Sequence, residues 1–229
     1  LGDWLAQLGI ADVVMESTGI FWRPVYNLIE AGRTITLANA QQVKALPGRK
    51  TDVRDSEQRR LLRHGLVRPS FIPPAPIREL REVTRYRASL VAQHTAEVDR
   101  LHKVLETANI KLASVASDVL GLSGRPMLAA IVAGQEEAAA LAELALGKLR
   151  AKLPELRRAL DGRVQSHHRL LIEQILTHLD FLEAAVAELE QEIARLLPPY
   201  AEELALLQTI PGVGAVVAAT LIAEVGVDM

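Results

Sequence analysis

The rhythm of apolar positions changes along the chain. Through residues 1–70 short apolar runs alternate with helical spacings. Asp3–Leu8 reads as the end of a helix, and Ala11-Asp12-Val13-Val14-Met15-Glu16 as a β-favouring run closed by Ser17-Thr18-Gly19. Phe21–Ala31 has helical spacing, stopped by Gly32, and Thr34-Ile35-Thr36-Leu37 is a second strand. This strand–helix–strand order implies an α/β layer with parallel strands. Two strands do not make a stable sheet by themselves, so further strands are expected before Leu1. After the Pro47-Gly48 loop a helix is expected from about Thr51 to His64. Pro69, Pro73, Pro74 and Pro76 then form a linker.

Beyond the prolines the period becomes helical. Val98, Leu101, Leu105, Ala108, Leu112, Val115 and Val119 follow alternating steps of three and four. So do Ile172, Ile175, Leu179, Leu182, Val186, Leu189, Ile193 and Leu196. Such steps keep one apolar seam on each helix, as a coiled coil requires; ordinary packing in a helical bundle is the alternative. An isolated helix of this length is marginal in water, so each seam needs a partner. Antiparallel pairing within the chain is expected, with contacts between chains added. Gly121, Gly124, Pro126, Gly134 and Gly162 interrupt the stretch between the runs. Tyr200–Thr209 and Ala215–Glu224 read as two further helices around Ile210-Pro211-Gly212-Val213-Gly214. The resulting fold class is α/β plus all-α. Its divisions are 1–70 (α/β), 71–77 (proline-rich linker), 78–197 (helical coiled-coil region) and 200–229 (a helix pair resembling a helix-hairpin-helix).

Composition agrees with this picture. Hydrophobic residues make up 49% and aromatic ones only 3%, so Leu, Ala, Val and Ile must build the core, and Leu and Ala favour helices. The absence of cysteine excludes disulfides and thiolate metal sites and suits a reducing compartment. Leu1–Ile10 has no basic n-region and is no signal peptide. The lack of an initiating Met and the apolar segment just before Met229 suggest a piece of a longer protein. Leu204–Ala223 is uncharged over 20 residues, the length of a membrane span. Pro211, Gly212 and Gly214 at its centre would break such a helix, so a buried helix pair is expected and no membrane.

Candidate chemistry centres on Lys50-Thr51-Asp52-Val53-Arg54-Asp55. On a helix, Asp52 and Asp55 lie about 60° apart around the axis and face one way. Two convergent carboxylates are hard oxygen ligands for Mg²⁺ or Mn²⁺. Glu16 closes a strand, where sites collect in open α/β sheets. In the competing reading Thr51 caps the helix and the two acids favour the positive end of its dipole.

The formal net charge of −2 announces no polyanion partner, but charge is unevenly spread. Lys44–Arg68 holds eight Lys or Arg against three acids, a local excess of five. Lys44, Arg49, Lys50 and Arg54 are candidates for holding a phosphodiester, with a solvated helix face as the alternative. The turn at Gly212 and Gly214 either aims backbone N–H groups at a phosphate or serves packing alone. It is no dinucleotide fingerprint, because Val217 stands where the third Gly belongs. His167-His168 has no companion ligands and reads as surface.

Val14-Met15-Glu16-Ser17-Thr18-Gly19 followed by Lys50-Thr51-Asp52-Val53-Arg54-Asp55 resembles the DEDD-type, RuvC-like transposases of bacterial insertion sequences. Leu62-Arg63-His64-Gly65-Leu66-Val67-Arg68-Pro69, the Pro-Gly-Val-Gly segment and Leu221-Ile222-Ala223-Glu224-Val225-Gly226 are similar to the same family, in matching order. The resemblance implies a partial RNase H-like domain, with Glu16, Asp52 and Asp55 as three of four metal-holding catalytic acids. It places the first Asp on a strand before Leu1 and a nucleophilic Ser after Met229. Ser56, where the family usually has Ala, is a departure. The implied activity is DNA strand cleavage and rejoining. Implied partners are DNA, a structured guide (bridge) RNA and further copies of the chain, in the bacterial cytoplasm. A RuvC-like junction nuclease and a non-enzymatic helical oligomerisation module are the alternatives.

Overall fold

The computed structural model describes residues 1–17, 19–39 and 69–227, and these form two units, Leu1–Pro74 and Ala75–Met229. The first unit runs α1 (Gly2–Gln7), β1 (Asp12–Glu16), α2 (Trp22–Ile29), β2 (Thr34–Ala38). The strands pair in parallel, from Asp12 opposite Thr34 to Glu16 opposite Ala38. Their β-branched residues Val13, Val14, Thr34, Ile35 and Thr36 suit the pleated backbone. Burial alternates along β1, with Val13 and Met15 half-buried and Asp12, Val14 and Glu16 exposed. A bridge between Ala38 and Pro69 adds a short antiparallel pairing at β2, where Ser70 N–H donates to Leu37 O at 2.7 Å. Leu5, Ile29, Leu37 and Ala38 are buried beneath this layer. The helix expected over Thr51–His64 lies outside the described residues.

The second unit is helical. Two long helices dominate it, α3 (Ala75–Thr107) and α7 (Ser166–Leu196). Pro76 sits in the first turn of α3, where its missing N–H leaves no intrahelical bond unmade. Arg87 pairs with Glu190, His94 with Glu183, and Glu97 with His178. Numbers rise along one helix as they fall along the other, so the pair is antiparallel. Of the second seam, Ile172, Ile175, Leu179, Leu182 and Ile193 are buried, while Val186, Leu189 and Leu196 are only half-buried. Glu97 is a buried carboxylate in this contact. His178 Nδ1 lies 3.1 Å from its Oε1, and Arg100 also bonds it. A partnered polar group in an apolar seam favours one register over its neighbours.

The first seam is shorter than its spacing suggests. Expected through Val119, the helix ends at Thr107 because Asn109 takes a left-handed conformation, φ 60°. Asn109 N–H then donates to Glu106 O at 3.0 Å and Ile110 N–H to Leu105 O at 2.8 Å. These two bonds and the buried pair Ile110 and Leu105 make a Schellman ending. Leu112 lies in a 3₁₀ turn, Leu112–Ser114, and Val119 is buried in the loop beyond. The spacing therefore reported burial correctly and helix length wrongly.

Between the long helices lie α4 (Gly124–Val132), α5 (Ala138–Glu143), a 3₁₀ turn Gly147–Lys152, and α6 (Leu153–Ala159). Their apolar residues, including Met127, Leu128, Ile131, Leu141 and Leu156, close over Leu101, Leu105, Ile172 and Leu179. Backbone bonds join the two ends of this insert: Lys111 N–H to Ala159 O and Arg163 N–H to Ala108 O, both 2.7 Å. The close approach requires glycine at 162, where a Cβ would stand 2.6 Å from Ala108 O.

At the opposite end of the pair, a second cluster joins Ile77, Leu80 and Ile193 to Ala219, Ile222 and Ala223. The last three belong to α9 (Ala215–Val225), which follows α8 (Ala201–Gln208). Arg81 Nε and Nη2 donate to Ala223 O and Glu224 O at 2.8 and 2.9 Å. They thereby cap carbonyls at the negative end of the α9 dipole. No helix among the described residues is long and apolar enough to cross a membrane.

His168 corrects a surface assignment. It is buried at the start of α7, and its Nδ1 accepts the Gln165 N–H at 3.1 Å, while the Gln165 side chain accepts from the His168 backbone. This reciprocal arrangement is a capping box. Burial, and then the neighbouring His167, hold the imidazole below its ordinary pKa. His167 is exposed, and the two rings lie 3.9 Å apart.

Candidate functional site

Glu16 is the last residue of β1, and its side chain is exposed at the carboxyl end of the parallel pair. The ladder continues one step past it, Ser17 N–H donating to Ala38 O at 2.8 Å. This fixes the backbone on both sides of the carboxylate. No side chain among the described residues bonds that carboxylate, so no protein cation there competes for it.

Asp52, Asp55, Lys44, Arg49, Lys50 and Arg54 lie outside the described residues. The two points flanking that segment are nonetheless informative. Asn39 directly follows β2, and Pro69 bridges back to Ala38. The chain thus departs from and returns to the carboxyl end of β2, whose last residue is the register partner of Glu16. Among the described residues no group of three or more His, Asp or Glu side chains converges as a metal site. His94 and His178 are each held by a glutamate instead, Glu183 and Glu97, across the helix pair.

A family comparison supplies the chemical context. Residues 1–110 match the model of DEDD_Tnp_IS110, a transposase family. Over that stretch, just under half of the chain, the sequence is similar to a DEDD-type transposase family. The match takes in the whole sheet-bearing unit and α3, and it ends just past the Asn109 stop. The match supports DNA recombination as a general class. Among curated proteins none matches the chain.

The turn after α8 has a definite geometry. Val213 N–H donates to Ile210 O at 3.0 Å, with Pro211 second and Gly212 third at φ 87°. That is the pattern of a type II turn, whose third position favours glycine. Gly214 precedes α9 as its N-cap, in extended conformation. Both glycines are exposed, and no Lys or Arg lies within Leu204–Ala223.

One feature escaped the sequence reading. Ile20 and Phe21, between the Glu16 strand and α2, are 67% and 78% exposed. The helical spacing assigned Phe21 to a helix, whereas α2 begins one residue later, at Trp22. The signal was available in the clustering of Phe21, Trp22 and Tyr26, because the chain has only two Trp, three Tyr and three Phe.

Proposed function

We propose that this transposase cleaves and rejoins DNA with divalent metal held by Glu16, Asp52 and Asp55, in an RNase H-like arrangement. The observation that carries the reading is the shared strand end. Glu16 closes β1, and the chain on either side of the Asp52–Asp55 segment is anchored at its register partner. The donor set fits the metal: three carboxylates are hard ligands for Mg²⁺ or Mn²⁺, and Glu16 is exposed with no side-chain partner among the described residues. Such an ion, when bound, activates a nucleophile and offsets charge on the phosphodiester. The chain's own share is to bind and orient. Lys44, Arg49, Lys50 and Arg54 hold phosphates, and Gly212 and Gly214 present backbone N–H groups to a phosphate of their own.

A structured guide RNA is the partner that would select the DNA, and the helical unit is where copies of the chain would associate. With three of the four acids assigned, the chain by itself is expected to bind metal and nucleic acid without cutting, because grouped catalytic residues lose nearly all activity when one is missing.

Titration of the whole chain with Mn²⁺ tests the reading without relying on activity. Glu16→Gln, Asp52→Asn and Asp55→Asn should each weaken affinity by at least about tenfold, a loss of about 1.4 kcal/mol. Unchanged affinity in all three would mean that Asp52 and Asp55 only cap a helix. Replacing the four basic residues by Gln should also flatten the salt dependence of DNA binding, since each phosphate contact contributes to its slope.

A further inference from the structure

We propose that the Ile20–Phe21 tip is a stacking element for an unpaired base of the DNA on which this site acts. The proposal rests on the nucleic-acid reading above. Phe21 is 78% exposed, yet it stands in a chain that spends few aromatic residues anywhere. Three of its eight aromatics, Phe21, Trp22 and Tyr26, gather at the start of α2. Trp22 and Tyr26 pack edge to face, with centroids 5.6 Å apart and planes at 85°, and the Arg23 guanidinium lies 5.9 Å from the Trp22 ring. Those rings brace the helix start and leave Phe21 outward. The tip is itself defined: Arg23 N–H donates to Ile20 O at 3.1 Å. The Phe21 ring lies over Gly19, 3.8 Å from where a Cβ would be.

Position and charge point to the ligand. Phe21 is five residues past Glu16, so their backbones are separated by at most about 17 Å of extended chain. That is roughly five base steps of 3.4 Å along a strand. Arg23 is the only charged residue between Glu16 and Glu30, so no carboxylate there repels phosphates. A bare aromatic ring offers any base a π-face, and such stacking is worth about 1–3 kcal/mol per base.

The test compares a labelled oligothymidylate, an oligouridylate and a DNA duplex of equal length, by anisotropy at fixed salt. Phe21→Ala in the whole chain should weaken oligothymidylate binding about 5- to 150-fold, the stacking range above, and change duplex binding little. Phe21→Trp should restore it and Phe21→Leu should not. Unchanged melting of Phe21→Ala would show that the loss is one of contact. Wild-type affinity in Phe21→Ala, or full rescue by Leu, overturns the stacking role while leaving the transposase reading intact. A loss confined to oligouridylate overturns the assignment to DNA, and a wild-type chain that binds none of the three overturns both readings.

Discussion

The sheet-bearing unit and the helical unit differ in how completely their side chains are satisfied. In the helical unit two apolar clusters are buried, and its four buried polar residues have partners, although the Nε of half-buried Arg169 has none. Thr84 donates to Leu80 O, Glu97 meets His178 and Arg100, Ser123 accepts from Leu146 N–H, and His168 caps α7. The described sheet-bearing residues bury far less and leave Glu16, Ile20 and Phe21 facing solvent. Satisfied groups stabilise a fold, whereas ligand contacts need groups that the fold leaves open. Under the proposed function, stability rests mainly with the helical unit and chemistry with the sheet-bearing one, and mutations can test that division.

The largest effect is expected in the helix pair. Leu182 is 1% exposed, so Leu182→Asp should cost about 3–5 kcal/mol, because a carboxylate there is buried without a partner. Val186 lies on the same seam but is half-buried, and Val186→Asp should cost about 1–2 kcal/mol. Denaturant unfolding of both variants checks the ratio. Equal losses would show a seam that is uniformly dry. Glu16→Gln supplies the opposite pole: it should stay within about 0.5 kcal/mol of wild-type stability while losing metal affinity. A large loss of stability in Glu16→Gln would break the division between the units.

The same contrast explains what the sequence disclosed. Both strands, the intervening helix and their parallel pairing were legible, because β-branched residues and a Gly stop leave few alternatives at Asp12–Ala38. The antiparallel helix pair was legible from its two seams. The end of the first seam was not, because Leu112 and Val119 keep the helical spacing although they pack from a turn and a loop. Periodicity reports which side chains are buried, and Asn109 decides where the helix stops. His168 was missed for a related reason. A histidine pair without metal-spaced companions looks like surface, and only its position three residues after Gln165 shows the capping box. The place of Glu16 at a strand end was legible, whereas the clustering of Phe21, Trp22 and Tyr26 marked an aromatic segment without showing which ring tertiary packing leaves exposed.

His168 provides an effect of intermediate size. Its folded pKa lies below the ordinary histidine value, through burial and His167, so folding favours the neutral ring. Its contribution is complete above the unfolded pKa, near 6.5, and is lost as pH falls below that value toward the folded pKa. Protonation of Nδ1 would also remove the acceptor for Gln165 N–H, a capping bond worth about 1 kcal/mol. The melting temperature should therefore drop between pH 7.5 and pH 5.5. His168→Gln, which keeps an acceptor but does not titrate, should flatten that drop. An equally steep profile in the variant would place the titrating group elsewhere in the chain.

The smallest effect separates two kinds of contact at the far end of the helix pair. Arg85 grips Glu224 with two bonds of 2.6 Å, while Arg81 reaches the last carbonyls of α9. The hydrogen bond from Arg85 is the main cause that holds the Glu224 carboxyl below its usual range; desolvation opposes it, and the charges of Arg85 and Arg81 assist. A depressed carboxylate stabilises above its unfolded pKa and ceases to do so as pH falls through its folded pKa. The pair is partly solvated, with side chains 56% and 33% exposed, so screening limits its worth to about 0.5 kcal/mol. Glu224→Gln should lower the melting temperature by about 1–2 °C at pH 7, and the difference should vanish toward pH 3. Arg81→Met removes bonds to carbonyls, which do not titrate, along with a longer 3.7 Å contact to the Glu224 carboxylate, so most of its deficit should persist at both pH values. If the Glu224→Gln difference survives at pH 3, the carboxylate's charge is not what supports the apolar contact of α9 with α3, and the carbonyl cap is its polar support.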